Sequence, residues 1–110
     1  MEGFIQVTTT TEKREEAERI ARSLVEARLA ACVQIAGPIT SVYRWKGRIE
    51  TTGEWLCLIK SRREHYGAVE RTIRSLHPYE IPEIVAVDLT AGSSDYLGWL
   101  QGELALPCEE

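Results

Sequence analysis

Ile39-Thr40-Ser41-Val42-Tyr43-Arg44-Trp45-Lys46-Gly47-Arg48-Ile49-Glu50-Thr51 is the stretch that decides how this chain folds. Ile39, Ser41, Tyr43 and Trp45 share one face of a period-two pattern, and Thr40, Val42 and Arg44 share the other. Lys46-Gly47 is a turn dipeptide in which glycine supplies a positive φ. The chain then returns antiparallel through Arg48-Ile49-Glu50-Thr51. Upstream, Cys32-Val33-Gln34-Ile35 extends the first strand, with Gly37-Pro38 as a bulge or bend within it. Downstream, Gly53 marks a second irregularity, and Glu54 to Ser61 is nearly continuous apolar sequence that suits a strand covered on both faces. Both strands exceed the usual length of about five or six residues. The hairpin tip is therefore expected to project beyond the domain.

Towards the N-terminus, Phe4-Ile5-Gln6-Val7 starts a strand, and the threonines Thr8 to Thr11 follow. Thr9 and Glu12 have capping-box spacing, although the helix can start a turn later. Ala17, Ile20, Ala21, Leu24 and Val25 mark one helical face running to about Leu29 or Ala30, with Glu15–Arg19 and Glu18–Arg22 as i,i+4 pairs outside it. Beyond the hairpin, Arg62-Arg63-Glu64 opens a second helix with the stripe Tyr66, Val69, Ile73 and Leu76, and Glu70 facing Arg74. His77-Pro78 ends it, because the residue before proline avoids the α region. Ile84 to Leu89 reads as another buried strand. A capping serine in Ser93-Ser94 leads into a short helix around Tyr96 to Leu100, and Leu104 and Leu106 are placed to pack against a neighbour. The order βαββαβ plus a terminal helix predicts an α+β, ferredoxin-like sandwich, one domain over residues 1–110.

With 110 residues, there is room for one core and no more. A net charge of −4 provides no basic footprint for nucleic acid. No apolar run approaches the roughly 20 residues of a membrane span. The acidic start Met1-Glu2-Gly3 runs straight into a strand pattern, unlike a signal peptide, which predicts a cytoplasmic protein. Cys32, Cys57 and Cys108 show no zinc or CxxC spacing and read as reduced thiols, the first two in the core and the third exposed.

The candidate chemistry is sparse. His77, beside Tyr79, Glu80 and Glu83, offers imidazole and carboxylate, a set that suits a divalent transition metal. Its plainer role is to sit at the negative end of a helix dipole. Cys32 is a soft-metal ligand if accessible, and otherwise a small core residue. Lys60 reads as an edge lysine or an anion-binding group. His65 reads as surface. Tyr43, Trp45, Trp55, Tyr79, Tyr96 and Trp99 read as packing residues. Trp45, on the projecting ribbon, exposes too much apolar surface unless another chain covers it. With no nucleophile elbow, P-loop or dinucleotide fingerprint, the protein reads as a non-enzyme. An enzyme acting at a subunit cleft is a third, weaker alternative.

Several strings resemble the CutA divalent-cation tolerance family. Ala27 to Ile35 resembles its "RLAACVNI" stretch, and Ser41 to Glu50 its "S-x-Y-x-W-x-G-x-[IV]-E" hairpin. Leu58-Ile59-Lys60-Ser61 resembles its "IKT" strand end, His77 to Ile84 its "HPYExPEI" segment, and Tyr96 to Leu100 its "YLxWL" helix. The resemblance spans essentially the whole chain in order. It implies a ferredoxin-like homotrimer whose hairpins embrace neighbouring subunits, and a non-catalytic role in tolerance to divalent metals, notably copper. Carried onto this sequence, the metal residues are Cys32 and His77; Glu80, beside His77, is this chain's own candidate for a third donor. Some family members place a further cysteine at the end of the first strand, where this chain has Thr8 to Thr11. Weak binding of Cu²⁺ or another divalent metal is therefore the expectation. The family's trimer also resembles that of the PII signalling proteins. That likeness implies an alternative, a signalling or scaffold module with a small-ligand pocket near Tyr43, Trp45, Lys60 and Tyr79.

Overall fold

The computed structural model describes residues 2–106, so the expectation for Cys108 lies outside the described residues. Strand β1 (Phe4–Thr11) is followed by helix α1 (Arg14–Glu26). Strands β2 (Cys32–Trp45) and β3 (Arg48–Arg62) form the long hairpin. A 3₁₀ turn (Arg63–His65) leads into α2 (Tyr66–Leu76), then β4 (Val85–Asp88) and α3 (Ser94–Glu103). The sheet order is β2-β3-β1-β4, antiparallel throughout. This is the expected ferredoxin-like arrangement.

The period-two pattern of β1 sorts its side chains between two layers. Ile5, Val7, Thr9 and Thr11 face α1 and α2, sharing that layer with Ser61, Ile59, Cys57 and Trp55 of β3. Ala17, Ile20 and Leu24 of α1 and Val69 and Ile73 of α2 close this core. Burying each large aliphatic side chain there contributes roughly 1.5–3 kcal/mol. Phe4 points the other way and meets Leu97, Leu100 and Leu104 of the α3 region, a smaller core on the opposite face. Ser93 caps α3 by accepting from the Tyr96 N–H at 3.2 Å.

Beyond α3 the second face of the sheet is uncovered within the subunit. Leu56 and Leu58 of β3 are only half-buried there, and Val85 and Val87 of β4 are exposed. Two expectations are thereby corrected. The Glu54–Ser61 run is fully covered only at Glu54, Cys57, Ile59 and Ser61, and within Ile84–Leu89 the strand is only Val85–Asp88, exposed at the sheet edge, while Ile84 and Leu89 pack partly buried against the two cores.

Local details differ in other places. β1 pairs with β3 through Thr11↔Trp55, so α1 starts later than the Thr9–Glu12 spacing suggests. The cap is instead Lys13, whose N–H donates to Glu16 Oε1 at 3.1 Å. The helix ends at Glu26, short of Leu29, and Glu18 pairs with Arg14 at 3.6 Å rather than with Arg22. The register shifts between Ala36 and Ile39, where Gly37-Pro38 marked it. Gly53 pairs in register with Thr40 and makes no bulge. At the exposed tip, Lys46 and Gly47 both hold positive φ, at 49° and 78°, as a tight hairpin turn requires.

Candidate functional site

The segment that leaves α2 passes the end of β1 and meets the root of the hairpin. His77 begins it and is only 9% exposed. Its Nδ1 accepts from the Tyr79 N–H at 3.1 Å. The ring proton therefore sits on Nε2, which donates to the Thr10 carbonyl at 2.7 Å. The imidazole also packs against the Tyr79 ring, with centroids 4.6 Å apart. Tyr79 in turn donates its hydroxyl to Glu54 Oε2 at 2.8 Å, and Glu54 is 6% exposed. Burial, and then the Glu54 carboxylate it donates to, hold the Tyr79 phenol well above its ordinary range.

These groups border a cleft of about 510 Å³. The bare face of the sheet contributes Thr10, Ser41, Tyr43, Trp45 and Glu54. Tyr79, Glu80, Ile81 and Glu83 form the other wall. Among the described residues, its lining carries three carboxylates and three aromatic rings and no basic side chain. Glu54 is the residue that sequence reasoning missed. The available signal was its alternation, which puts a charge on the face of Ile39, Tyr43 and Trp45.

The other predicted residues lie elsewhere. Cys32 pairs across the ladder with Lys60, which pairs with Gln6. Thr10, against which His77 is fastened, lies four residues further along β1, about 13 Å away. The fold thus keeps Cys32 and His77 apart within one subunit. Lys60 donates to Gln34 Oε1 at 3.1 Å and does not line the cleft. Cys32 lies beside Tyr96, whose phenol is pushed up by burial and then by that thiol. Among the described residues, no three His, Cys, Asp or Glu side chains stand close enough to hold a metal ion.

His65, expected at the surface, is buried at 5% exposure. Its Nε2 lies 2.8 Å from the Ala105 carbonyl, so it ties the segment after α3 to the start of α2. The Ala105 N–H donates to the Arg28 carbonyl at 2.9 Å, fixing the same segment a second time.

The profile of the CutA1 divalent ion tolerance protein matches residues 5–103. The chain belongs to the CutA1 family. The divalent-cation tolerance protein CutA of Thermus thermophilus is 42% identical over 92% of this chain and 96% of its own length. Mouse protein CutA is 45% identical over 76% of this chain, which spans 48% of that longer protein. The crystal structure of CutA from Xylella fastidiosa superposes with a TM-score of 0.90 at 40% identity, covering 94% of this chain and 99% of that one. As in the sequence expectation, the likeness to CutA extends over nearly the whole fold rather than over one motif. Among the described residues, no helix is long and apolar enough to cross a membrane.

Proposed function

We propose that this protein serves divalent-cation tolerance as a non-catalytic, cytoplasmic homotrimer that takes copper weakly. Family membership over residues 5–103 is the observation that carries this reading. The trimer is supported by the bare sheet face of Leu56, Leu58, Val85 and Val87 and by the long ribbon ending at Lys46-Gly47. Exposed apolar area of this kind, on long strands with open edges, calls for cover by another chain.

The geometry does not fit a resident metal held by three ligands. The ion is therefore cargo, met by few donors. His77 must give up its bond to Thr10 or to Tyr79 to present a nitrogen. Cys32 stands on a different row of the sheet, and Glu80 is an exposed carboxylate at the cleft. Each condition lowers affinity. Copper is favoured among divalent ions because it heads the affinity order for nitrogen and oxygen ligands. Calorimetric titration of Cu²⁺ and Zn²⁺ into the reduced protein tests the proposal. The expected result is weak binding, tighter for copper and reduced in His77→Ala. Equal copper binding by His77→Ala removes that residue from the site, and the absence of any heat with either ion overturns the reading.

A further inference from the structure

The bare face of the sheet is charged at its two ends only. Along β3, Glu54, Leu56, Leu58 and Lys60 point to that face in turn. β1 and the Cys32–Ala36 part of β2 have no charged residue. β4 contributes Val85 and Val87, while its Asp88 stands in the row of Ile5, on the helix side. Arg62, the next residue of β3 on this face, is held at α3 by Gln101 and by its ion pair with Glu64.

Six residues separate Glu54 from Lys60, about 20 Å along the strand, so the two do not meet within one subunit. Each has a neutral partner: Lys60 donates to Gln34 Oε1 at 3.1 Å, and Glu54 accepts from the Tyr79 hydroxyl at 2.8 Å. Among the described residues, neither takes part in an ion pair. Covering the apolar residues between them also takes Lys60 and Glu54 out of water. A charge so removed is costly unless an opposite charge meets it.

The face answers this need itself, being positive at the α3 end and negative at the hairpin root. Laid head to tail, one copy brings its positive end to the negative end of the next, and a closed ring treats every subunit alike. A polyanion on this face would leave Glu54 unmet, and a polycation would leave Lys60 unmet. A second copy of the chain meets both.

We infer that Lys60 of each subunit pairs with Glu54 of the partner subunit, and that this contact sets the register in which the sheet faces meet. Tyr79 is then the second donor, which holds the carboxylate in place for the incoming lysine. The inference rests on the homotrimeric reading and names the contact that orients it.

The test is charge exchange, read by sedimentation equilibrium of the full-length protein. Lys60→Glu and Glu54→Lys should each raise the concentration at which the trimer dissociates by about 100-fold or more, and the variant carrying both should recover most of that loss. Should Glu54→Lys fail to fold, Lys60→Met and Glu54→Gln replace the exchange. Either one alone strands a charge in the interface, so the two together should weaken assembly by less than the sum of their separate effects. A parent that sediments as a monomer overturns the trimeric reading and the pairing with it. A trimeric parent whose single variants assemble unchanged, or whose losses simply add in the double variant, overturns the pairing alone.

Discussion

His77 Nε2 donates to the carbonyl of Thr10 at 2.7 Å, fastening the end of α2 to the penultimate rung of β1's pairing with the hairpin. The other ring nitrogen fixes the direction of the next segment by accepting from Tyr79 N–H. One imidazole thus places the wall that carries Tyr79, Glu80 and Glu83.

Removing this ring should therefore cost stability as well as ligand binding. His77→Ala leaves the Thr10 carbonyl and Tyr79 N–H without their partner, a loss of about 1–3 kcal/mol. Urea unfolding of parent and variant measures it. A midpoint unchanged in the variant would show that the ring is not a strut.

Tyr79→Phe deprives the buried Glu54 carboxylate of its one donor among the described residues. The expected cost is about 1–3 kcal/mol, and Glu54→Gln should couple to it. A double-mutant cycle read by thermal melting provides the check, and strict additivity would mean that the two side chains do not act together.

Cys57 and Tyr79 predict instability in alkali. Burial pushes the Cys57 thiol from 9.0 up to about 11, and the Tyr79 phenol is also raised. A raised acid keeps its proton when folded after the unfolded chain has released it, so folding stability is complete below about pH 9 and falls as pH climbs towards 11. The Cys57 contribution is about 2–3 kcal/mol across that window. Denaturant midpoints between pH 8 and 11 should decline in the parent and decline less steeply in Cys57→Ala.

Leu58→Asp places a charge in the middle of the bare sheet face, in the row of Thr8, Gln34 and Val85. Sedimentation should show a trimer for the parent and smaller species for this variant. Arg22→Asp, at an exposed position on the helix side of the subunit, should sediment like the parent.

Gly37 has no room for a methyl group. A Cβ there would stand 2.8 Å from Trp55 Cε3 and 3.1 Å from the Glu54 carbonyl oxygen. Gly37→Ala should cost about 1–3 kcal/mol through displacement of the Trp55 ring. Near-ultraviolet circular dichroism would report that displacement, and an unaltered tryptophan signal would contradict it.

The hairpin, the three helices and the strand order were legible because their signals are local. Alternation from Ile39 to Trp45, the turn at Lys46-Gly47 and the stop at His77-Pro78 each depend on neighbours in sequence. Misreadings arose where distant pairing overrode local spacing. Thr9 has the spacing of a helix cap, yet β3 draws β1 on to Thr11. Ile84 to Leu89 has the apolar composition of a buried strand, and composition alone does not distinguish a covered strand from an edge awaiting a neighbour. His65 is buried by Ala105, which lies 40 residues away in the chain. At the site, the aromatic residues were legible, but the Glu54–Tyr79 contact joins residues 25 apart and had no local mark.

The long ribbon also bears on the order of folding. Pairing between β2 and β3 starts at neighbouring residues, Trp45↔Arg48, and can proceed outward one rung at a time. Each β1–β3 rung, by contrast, closes a loop that contains α1 and the whole of β2. Loop closure costs entropy before long-range contacts offset it. The hairpin is thus expected to zip first, from tip to root, and to act as the template on which β1 docks. Mutations near Gly47 should slow folding, whereas mutations in β4, the last strand to arrive, should mainly hasten unfolding.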